Sequence, residues 1–331
     1  MARRPTSQQR QINAALARLE PEVARAFQAA IVAARGQVNM GHLIAALDAG
    51  DLGAAVRLLT FPQALMFPLE DAIRTSYIQG GNMIAASAPS ALIAFGGNSP
   101  GATAWLQNHS ATLIQGIYDE TLAATRQALV AGREAGMGSR AIARDIVGRV
   151  VGGQRQGGIL GLTTQQADSI ISARGKLASG DPKLMREYFR LELRNKRFDA
   201  EIRRAIADGK PITGARLDAI LEAHKSKALA YRGKVIAKDQ TFQALEAGRA
   251  EAIAQALENP EVEGAFCRWQ HNLSENPRED HQEMDGKTVE YGETFELPDG
   301  SRMLHPHDPA GGPQNNAGCQ CIGIWRIRMR T

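Results

Sequence analysis

The spacing of apolar residues changes abruptly near Asn259-Pro260, and this change constrains the fold more than any other feature of the chain. Before that point alanine and leucine recur every three or four residues, which predicts amphipathic helices. After it, apolar and polar residues alternate in short runs separated by Gly and Pro, which predicts strands and turns. We therefore predict an α+β fold: a long, mainly α-helical body followed by a small C-terminal α+β module with short antiparallel strands.

Three regions are predicted along the 331 residues, a length that exceeds what one core usually supports. An N-terminal helical region covers residues 1–98, a helical body covers 99–260, and the C-terminal module covers 261–331. The first boundary lies in a run over 88–102 that is rich in Gly and Pro. The second is the Asn-Pro pair, since a residue before proline disfavours helix.

Local signals place several helix ends in the first 260 residues. Gly36 is predicted to close a helix, and Thr163 with Gln166 forms a capping-box pattern. The spacing also predicts helices over 139–152, 185–209 and 213–259. The glycine-rich run between 152 and 161 lacks the order of a phosphate-binding loop, so we predict a hinge between helices there.

Charge is distributed unevenly between the helical part and the module. Residues 261–331 carry seven Lys and Arg against twelve Asp and Glu, a net charge of −5. Because the whole chain has a net charge of +4, residues 1–260 carry +9. The stretch 183–238 is the richest in basic residues, interleaved with acids at helical spacing. This pattern indicates either a solvated helix face with internal ion pairs or a site for nucleic-acid phosphates, with Arg194, Arg197, Arg203 and Arg204 as candidates.

The module contains all three cysteines and four of the seven histidines. Cysteines clustered in this way do not form a disulfide framework, so a reducing compartment is expected. Cys319 and Cys321 are predicted on one face of the last strand, where they can pack as small apolar side chains or bind zinc together with a histidine. His281, His305 and His307 are the candidate histidine ligands. The tight Cys-x-Cys spacing argues against zinc.

Enzymatic alternatives use the same residues. A nucleophilic site needs a cysteine, a histidine and an orienting acid, which Cys319, His281 and either Asp285 or Asp308 can supply. A metal-assisted or carboxylate-based hydrolase would use His281, Asp285, Glu293 and Asp308. Both are the less favoured interpretations, because clustered acids in loop-rich segments more often hold turns.

The order of residues in the module resembles the C-terminal domain of phage Mu F-like minor head proteins, the head-morphogenesis family of tailed phages. Upstream helical segments from about residue 100 are similar to the region that precedes this motif. His307 stands where the family tends to have glycine, and His305 is not part of the pattern. The matching motif residues are Trp269, Arg278, His281, Asp285, Gly286, Phe295, Pro306, Asp308, Cys319 and Cys321.

The resemblance implies a structural protein and not an enzyme. Such proteins are minor capsid components that act in procapsid assembly near the portal vertex, so the implied partners are the portal protein, the scaffold or major capsid protein, and packaged double-stranded DNA. It implies a location inside the phage head, and in the host cytoplasm during assembly. No cofactor is implied, although zinc at His281, Cys319 and Cys321 stays an alternative. Apolar runs fall short of a membrane span, so no membrane is expected. The competing function is a metal-assisted hydrolase or toxin-like effector that uses the His/Asp/Cys cluster.

Overall fold

The computed structural model describes residues 5–87, 94–272 and 277–331. It is mainly helical with a few short antiparallel strands, which confirms the predicted α+β class. The helices are α1 (Ser7–Gln37), α2 (Met40–Asp48), α3 (Leu52–Leu58), α4 (Phe67–Ser87), α5 (Pro100–Glu134), α6 (Ser139–Val147), α7 (Thr164–Ala178), α8 (Pro182–Glu187), α9 (Asp199–Ala207), α10 (Gly214–Leu257), α11 (Glu279–Glu283) and α12 (Gly312–Asn316). The strands are β1 (Arg149–Val151), β2 (Gln154–Gln156), β3 (Val262–Gln270), β4 (Thr288–Glu290), β5 (Phe295–Glu296), β6 (Arg302–Met303) and β7 (Ile322–Met329).

Helix ends follow the local signals wherever a side chain caps the backbone. The Thr163 hydroxyl accepts from the Gln166 N–H while the Gln166 side chain accepts from the Thr163 N–H, so the predicted capping box is confirmed at the start of α7. The Asn39 and Asp51 side chains cap α2 and α3 by accepting from the His42 and Ala54 N–H groups. Of the run predicted as a loop over 88–102, residues 88–93 lie outside the described residues, and α5 begins at Pro100.

The prediction of one charged helix over 185–209 is wrong. The chain forms α8, a 3-10 turn at Tyr188–Arg190, a second at Lys196–Phe198, and then α9. Leu191 takes extended backbone angles, and the Asn195 side chain accepts from the Arg197 N–H, which begins the second turn. Such bonds from side chain to backbone compete with helix, and they interrupt a segment whose charge spacing alone looks helical.

The prediction of a helix over 139–152 followed by a hinge is also wrong. Helix α6 ends at Val147, because Gly148 has a φ of 89° and its Cα approaches the Gln156 carbonyl so closely that a Cβ would lie 2.3 Å from the oxygen. The residues that follow pair as the antiparallel hairpin β1–β2, with Arg149 opposite Gln156. A glycine with positive φ thus turns the chain from helix into hairpin.

The chain forms two compact units that are each discontinuous in sequence. The first contains Met1–Arg25, Leu69–Ala111 and Lys234–Thr331, and the second contains Ala26–Pro68 and Thr112–Gly233. The three regions predicted from the sequence, 1–98, 99–260 and 261–331, stay a prediction.

A three-stranded antiparallel sheet of order β4-β3-β7 organises the first unit. Trp325 on one face of β7 belongs to a buried cluster with Cys267 and Trp269 of β3. Ile322 and Ile324 on the other face pack in a cluster with residues of α1 and α10. The strand is therefore apolar on both faces.

Two buried arginines hold the loop that follows the hairpin in the second unit. Arg35 donates to the Gly158 carbonyl at 2.7 Å and to the Leu160 carbonyl at 2.6 Å. Arg232 donates to the Gly161 carbonyl at 2.8 Å. These buried carbonyls cannot bind water, and the guanidinium groups supply the hydrogen-bond donors that they need.

Within the described ranges, no single helix is long and apolar enough to cross a membrane, whereas the bent pair Leu52–Leu58 with Gln63–Ser87 passes by length and composition.

Candidate functional site

His281, Cys319 and Cys321 come together in the first unit, where all three side chains are buried. His281 lies on α11, and the cysteines lie in the loop that leads into β7, not on the strand as the sequence predicted. The His281 Nδ1 atom is 3.3 Å from the Cys319 Sγ and 3.6 Å from the Cys321 Sγ. In the part of the chain that the structure describes, this is the group of His, Cys, Asp and Glu side chains whose ligand atoms are close enough together to hold a metal ion.

The orientation of His281 is set by Asn315, which the sequence analysis did not single out. The Asn315 Nδ2 donates to the Gly311 carbonyl at 3.1 Å, to Asp299 at 2.9 Å and to the Ser301 hydroxyl at 3.0 Å. Since a carbonyl and a carboxylate can only accept, the amide nitrogen must point towards them and Oδ1 towards His281. The His281 Nε2, 3.2 Å from that oxygen, therefore carries a proton, and a neutral ring presents the Nδ1 lone pair to the sulfurs.

The two thiols titrate as a pair. The pKa of Cys319 is lowered well below its ordinary value by the hydrogen bond from Cys321, and further by the His307 and His281 rings, against the opposing effect of burial. The pKa of Cys321 is raised because its proton is shared with Cys319 and because burial disfavours a second charge. Burial acts to lower the pKa of His281, but hydrogen bonding to Cys319 outweighs it and the pKa is raised.

His307 lies beside this group in an unusual backbone conformation. It is the non-glycine residue with positive φ among those described, at 67°, a region that side chains with a Cβ rarely adopt. Its Nε2 is 3.0 Å from the Cys321 carbonyl, and its ring stacks on Phe242 at 4.5 Å. The other ring nitrogen, Nδ1, is buried without a hydrogen-bond partner.

His305 and Asp308 shape the loop that carries His307. The Asp308 carboxylate accepts from the Leu304 N–H at 2.7 Å and from the Ala310 N–H at 2.9 Å. The His305 Nδ1 lies 2.8 Å from the Pro306 carbonyl, its acceptor. Asp308 is thus committed to backbone donors, and His305 is not part of the group around Cys319.

The remaining motif residues surround the group and hold its backbone. The Trp269 ring meets His281 edge-on at 5.5 Å and Phe295 at 5.3 Å. Asp285 accepts from the His271 N–H at 2.9 Å, and Gly286, with φ of 87°, donates to the Trp269 carbonyl at 2.8 Å. These contacts position β3 relative to α11.

Arg278 does not lie on the helix that carries His281. Arg278 precedes α11 with extended backbone angles and donates to the Ala317 carbonyl at 2.6 Å. It holds the loop before the two cysteines from outside the helix.

The structure brings together the cysteine and the histidine of the predicted nucleophilic site, but not the acid. Cys319 contacts His281, but the second ring nitrogen of His281 contacts Asn315 and not the acids Asp285 or Asp308. Cys319 is 5% exposed, His281 2% and Asn315 3%, so these groups leave no opening for a carbonyl substrate. Glu293, the other candidate acid, accepts from the Glu290 N–H at 3.2 Å.

The four arginines considered for phosphate contacts differ in their surroundings. Arg194 forms an ion pair with buried Asp199 at 3.1 Å and is half-buried. Arg197, Arg203 and Arg204 are exposed. The Arg203 guanidinium lies over the Phe189 ring at 5.2 Å, and that of Arg197 over Phe198 at 4.6 Å.

One family model matches a part of the chain that includes this region. Residues 196–324 match the family model described as Phage Mu protein F like protein. The matched range contains the motif residues from Trp269 to Cys321 and three of the four arginines. No curated protein and no solved structure matches the chain.

Proposed function

We propose that the chain is a minor capsid protein that acts in procapsid assembly near the portal vertex, because residues 196–324 match the model of the phage Mu F-like family. The family match carries this proposal. The family is structural, and the burial of Cys319 and His281 supports a structural role for the motif as well. The partners would be the portal protein and the scaffold or major capsid protein, and the location would be the inside of the head.

An assembly role is tested by comparing procapsids formed with and without the protein. Imaging of the portal vertex should show density at that vertex only in particles assembled with it. Density of the same shape in particles that lack the protein would contradict the portal location, because a different component would then account for it.

We further propose that the exposed arginines of α9 and the turn before it contact packaged DNA. Arg197, Arg203 and Arg204 project from one short segment, and residues 1–260 carry a net charge of +9. Phosphates attract such groups without regard to base sequence, and binding releases counterions from the DNA. Arg194 is excluded, because its side chain is largely buried and pairs with Asp199 at 3.1 Å, whereas Arg203 lies 3.9 Å from the same carboxylate and is exposed.

The test is the triple variant Arg197→Glu, Arg203→Glu and Arg204→Glu. Its affinity for double-stranded DNA should fall, and the slope of log K against log salt should become shallower by roughly 0.9 for each phosphate that the variant no longer neutralises. The matched control reverses three exposed arginines elsewhere, Arg25, Arg140 and Arg330, with the same change in net charge. An equal decrease of affinity in both triples would show that overall charge, and not this segment, governs DNA binding.

A further inference from the structure

The atoms of the cysteine–histidine group are spaced as the corners of a metal coordination shell. A tetrahedral zinc ion with Zn–S bonds of about 2.3 Å and Zn–N bonds of about 2.0–2.1 Å separates sulfur from nitrogen by about 3.6 Å. The observed distances from the His281 Nδ1 are 3.3 Å to the Cys319 Sγ and 3.6 Å to the Cys321 Sγ. All three atoms lie within 4.8 Å of one another.

Two sulfurs approach one ring nitrogen, the His281 Nδ1. A hydrogen bond from a protonated ring to the Cys319 thiolate is directed at one of these sulfurs only. A cation between the three atoms would use the lone pair and both sulfurs at once.

The surroundings orient these donors in the way that metal ligands are usually held. Ligating histidines almost always donate the other ring N–H to a carboxylate, a carbonyl oxygen or water. Here the His281 Nε2–H donates to the Asn315 amide oxygen, and the Asn315 amide is in turn fixed by Asp299 and Gly311. The Cys321 N–H donates to the Cys319 Sγ at 3.3 Å, which favours a sulfur that carries negative charge.

His307 is the candidate for a fourth donor, although the group of ligand atoms that lie within 4.8 Å of one another contains only His281, Cys319 and Cys321 among the described residues. Its Nε2 must carry a proton, because the Cys321 carbonyl 3.0 Å away can only accept. The Nδ1 atom of a neutral His307 ring is then an unprotonated lone pair, and it is buried with no partner. His307 has a φ of 67°, which is a strained conformation for a residue with a Cβ. The Cys321 carbonyl and the Phe242 ring hold its imidazole in place.

We propose that Cys319, Cys321, His281 and His307 bind one zinc ion, and that this ion is structural. It joins α11, the loop that carries His307 and the loop before β7, which are segments with little regular structure between them. Strands of two or three residues and helices of five supply few backbone hydrogen bonds, and metal sites commonly stabilise small folds of this kind. The burial of the ligands makes the site closed, as in structural zinc sites.

Metal analysis of purified protein tests the proposal, with Cys267 as an internal control. The wild-type chain should contain about one zinc ion, and Cys319→Ser and Cys321→Ser should each abolish its binding. Cys267→Ser should retain zinc, since Cys267 is an equally buried cysteine outside the group. Absence of zinc from the wild type even after zinc is added, or an equal decrease in Cys267→Ser, would overturn the site.

His307→Gly tests the fourth ligand without adding backbone strain, because glycine accepts positive φ. The variant should bind zinc at least about tenfold more weakly in competition with a chromophoric chelator. Unchanged affinity would remove His307 from the ligand set.

Two measurements on the wild-type protein test the zinc site without any variant, so they do not depend on whether a variant folds. A chelator should lower the melting temperature, and added zinc should restore it. The two thiols should resist alkylation until the chelator is present. Rapid alkylation of one cysteine without chelator would instead indicate a free reactive thiolate and contradict zinc binding.

Discussion

At the residue scale, buried ionisable groups divide into those with a partner and those without. Glu246 and Arg249 are each 1% exposed and pair at 2.7 Å, so the buried charges compensate each other. His224 is equally buried in the second unit, and its Nδ1 has no hydrogen-bond partner. Burial first, and then Lys227 and Lys225, lower the pKa of His224 to about 4.

This depressed pKa predicts a specific dependence of stability on pH. Between about pH 6.5 and pH 4 the unfolded chain protonates His224 while the folded chain does not, so unfolding becomes more favourable as the pH falls through that range. The decrease can reach ~3 kcal/mol in the free energy of unfolding. His224→Leu should flatten the dependence when urea unfolding at pH 7 and pH 5 is compared.

The exposed His42 provides the control, since His42→Leu removes a histidine that lies in solvent. If the wild type and His224→Leu lose equal stability between the two pH values, His224 does not titrate as its burial requires.

At the element scale, two helices of the first unit approach each other through glycines. A Cβ on Gly248 of α10 would lie 2.0 Å from the Tyr77 carbonyl, and a Cβ on Gly80 of α4 would lie 2.1 Å from the Leu245 carbonyl. Backbone atoms cannot rotate away as side chains can. The crossing therefore requires the absence of side chains at both positions.

Gly248→Ala should destabilise the protein by about 1–3 kcal/mol, because the helices must separate, and the better helix propensity of alanine offsets only part of this. Gly175→Ala is the matched control, since a Cβ at that helical glycine has no neighbour within 4 Å. It should stabilise the protein by up to ~1 kcal/mol. Denaturant unfolding of both variants checks the opposite signs, and a shift of the same sign in both would contradict the crossing.

Local signals predicted the elements better than they predicted the site. The capping box of Thr163 and the apolar spacing of α10 act over three or four residues, so a sequence pattern shows them. The break after Arg190 accompanies the extended backbone of Leu191 and the cap by Asn195, which the helical spacing of the charges does not reveal. His281 and Asn315 are 34 residues apart in the chain, and their hydrogen bond arises only from the tertiary fold.

At the scale of the whole molecule, the family match over residues 196–324 supports the proposed assembly role, and the structure separates the motif into different tasks. Trp269, Phe295 and Gly286 hold the sheet and α11 together, whereas His281, Cys319 and Cys321 form the proposed zinc site. Failure of the zinc proposal would leave the family assignment intact, because the assignment rests on the match over residues 196–324. The arginines of α9 form a third, independent surface.

The central claim is that the chain is a component of the phage head, and quantitative mass spectrometry of purified heads tests it most directly. Heads from cells that produce the phage should contain the protein at a few copies for each particle, and deletion of its gene should reduce the yield of DNA-filled heads. Its absence from purified heads, together with a normal yield of filled heads after deletion, would contradict the account.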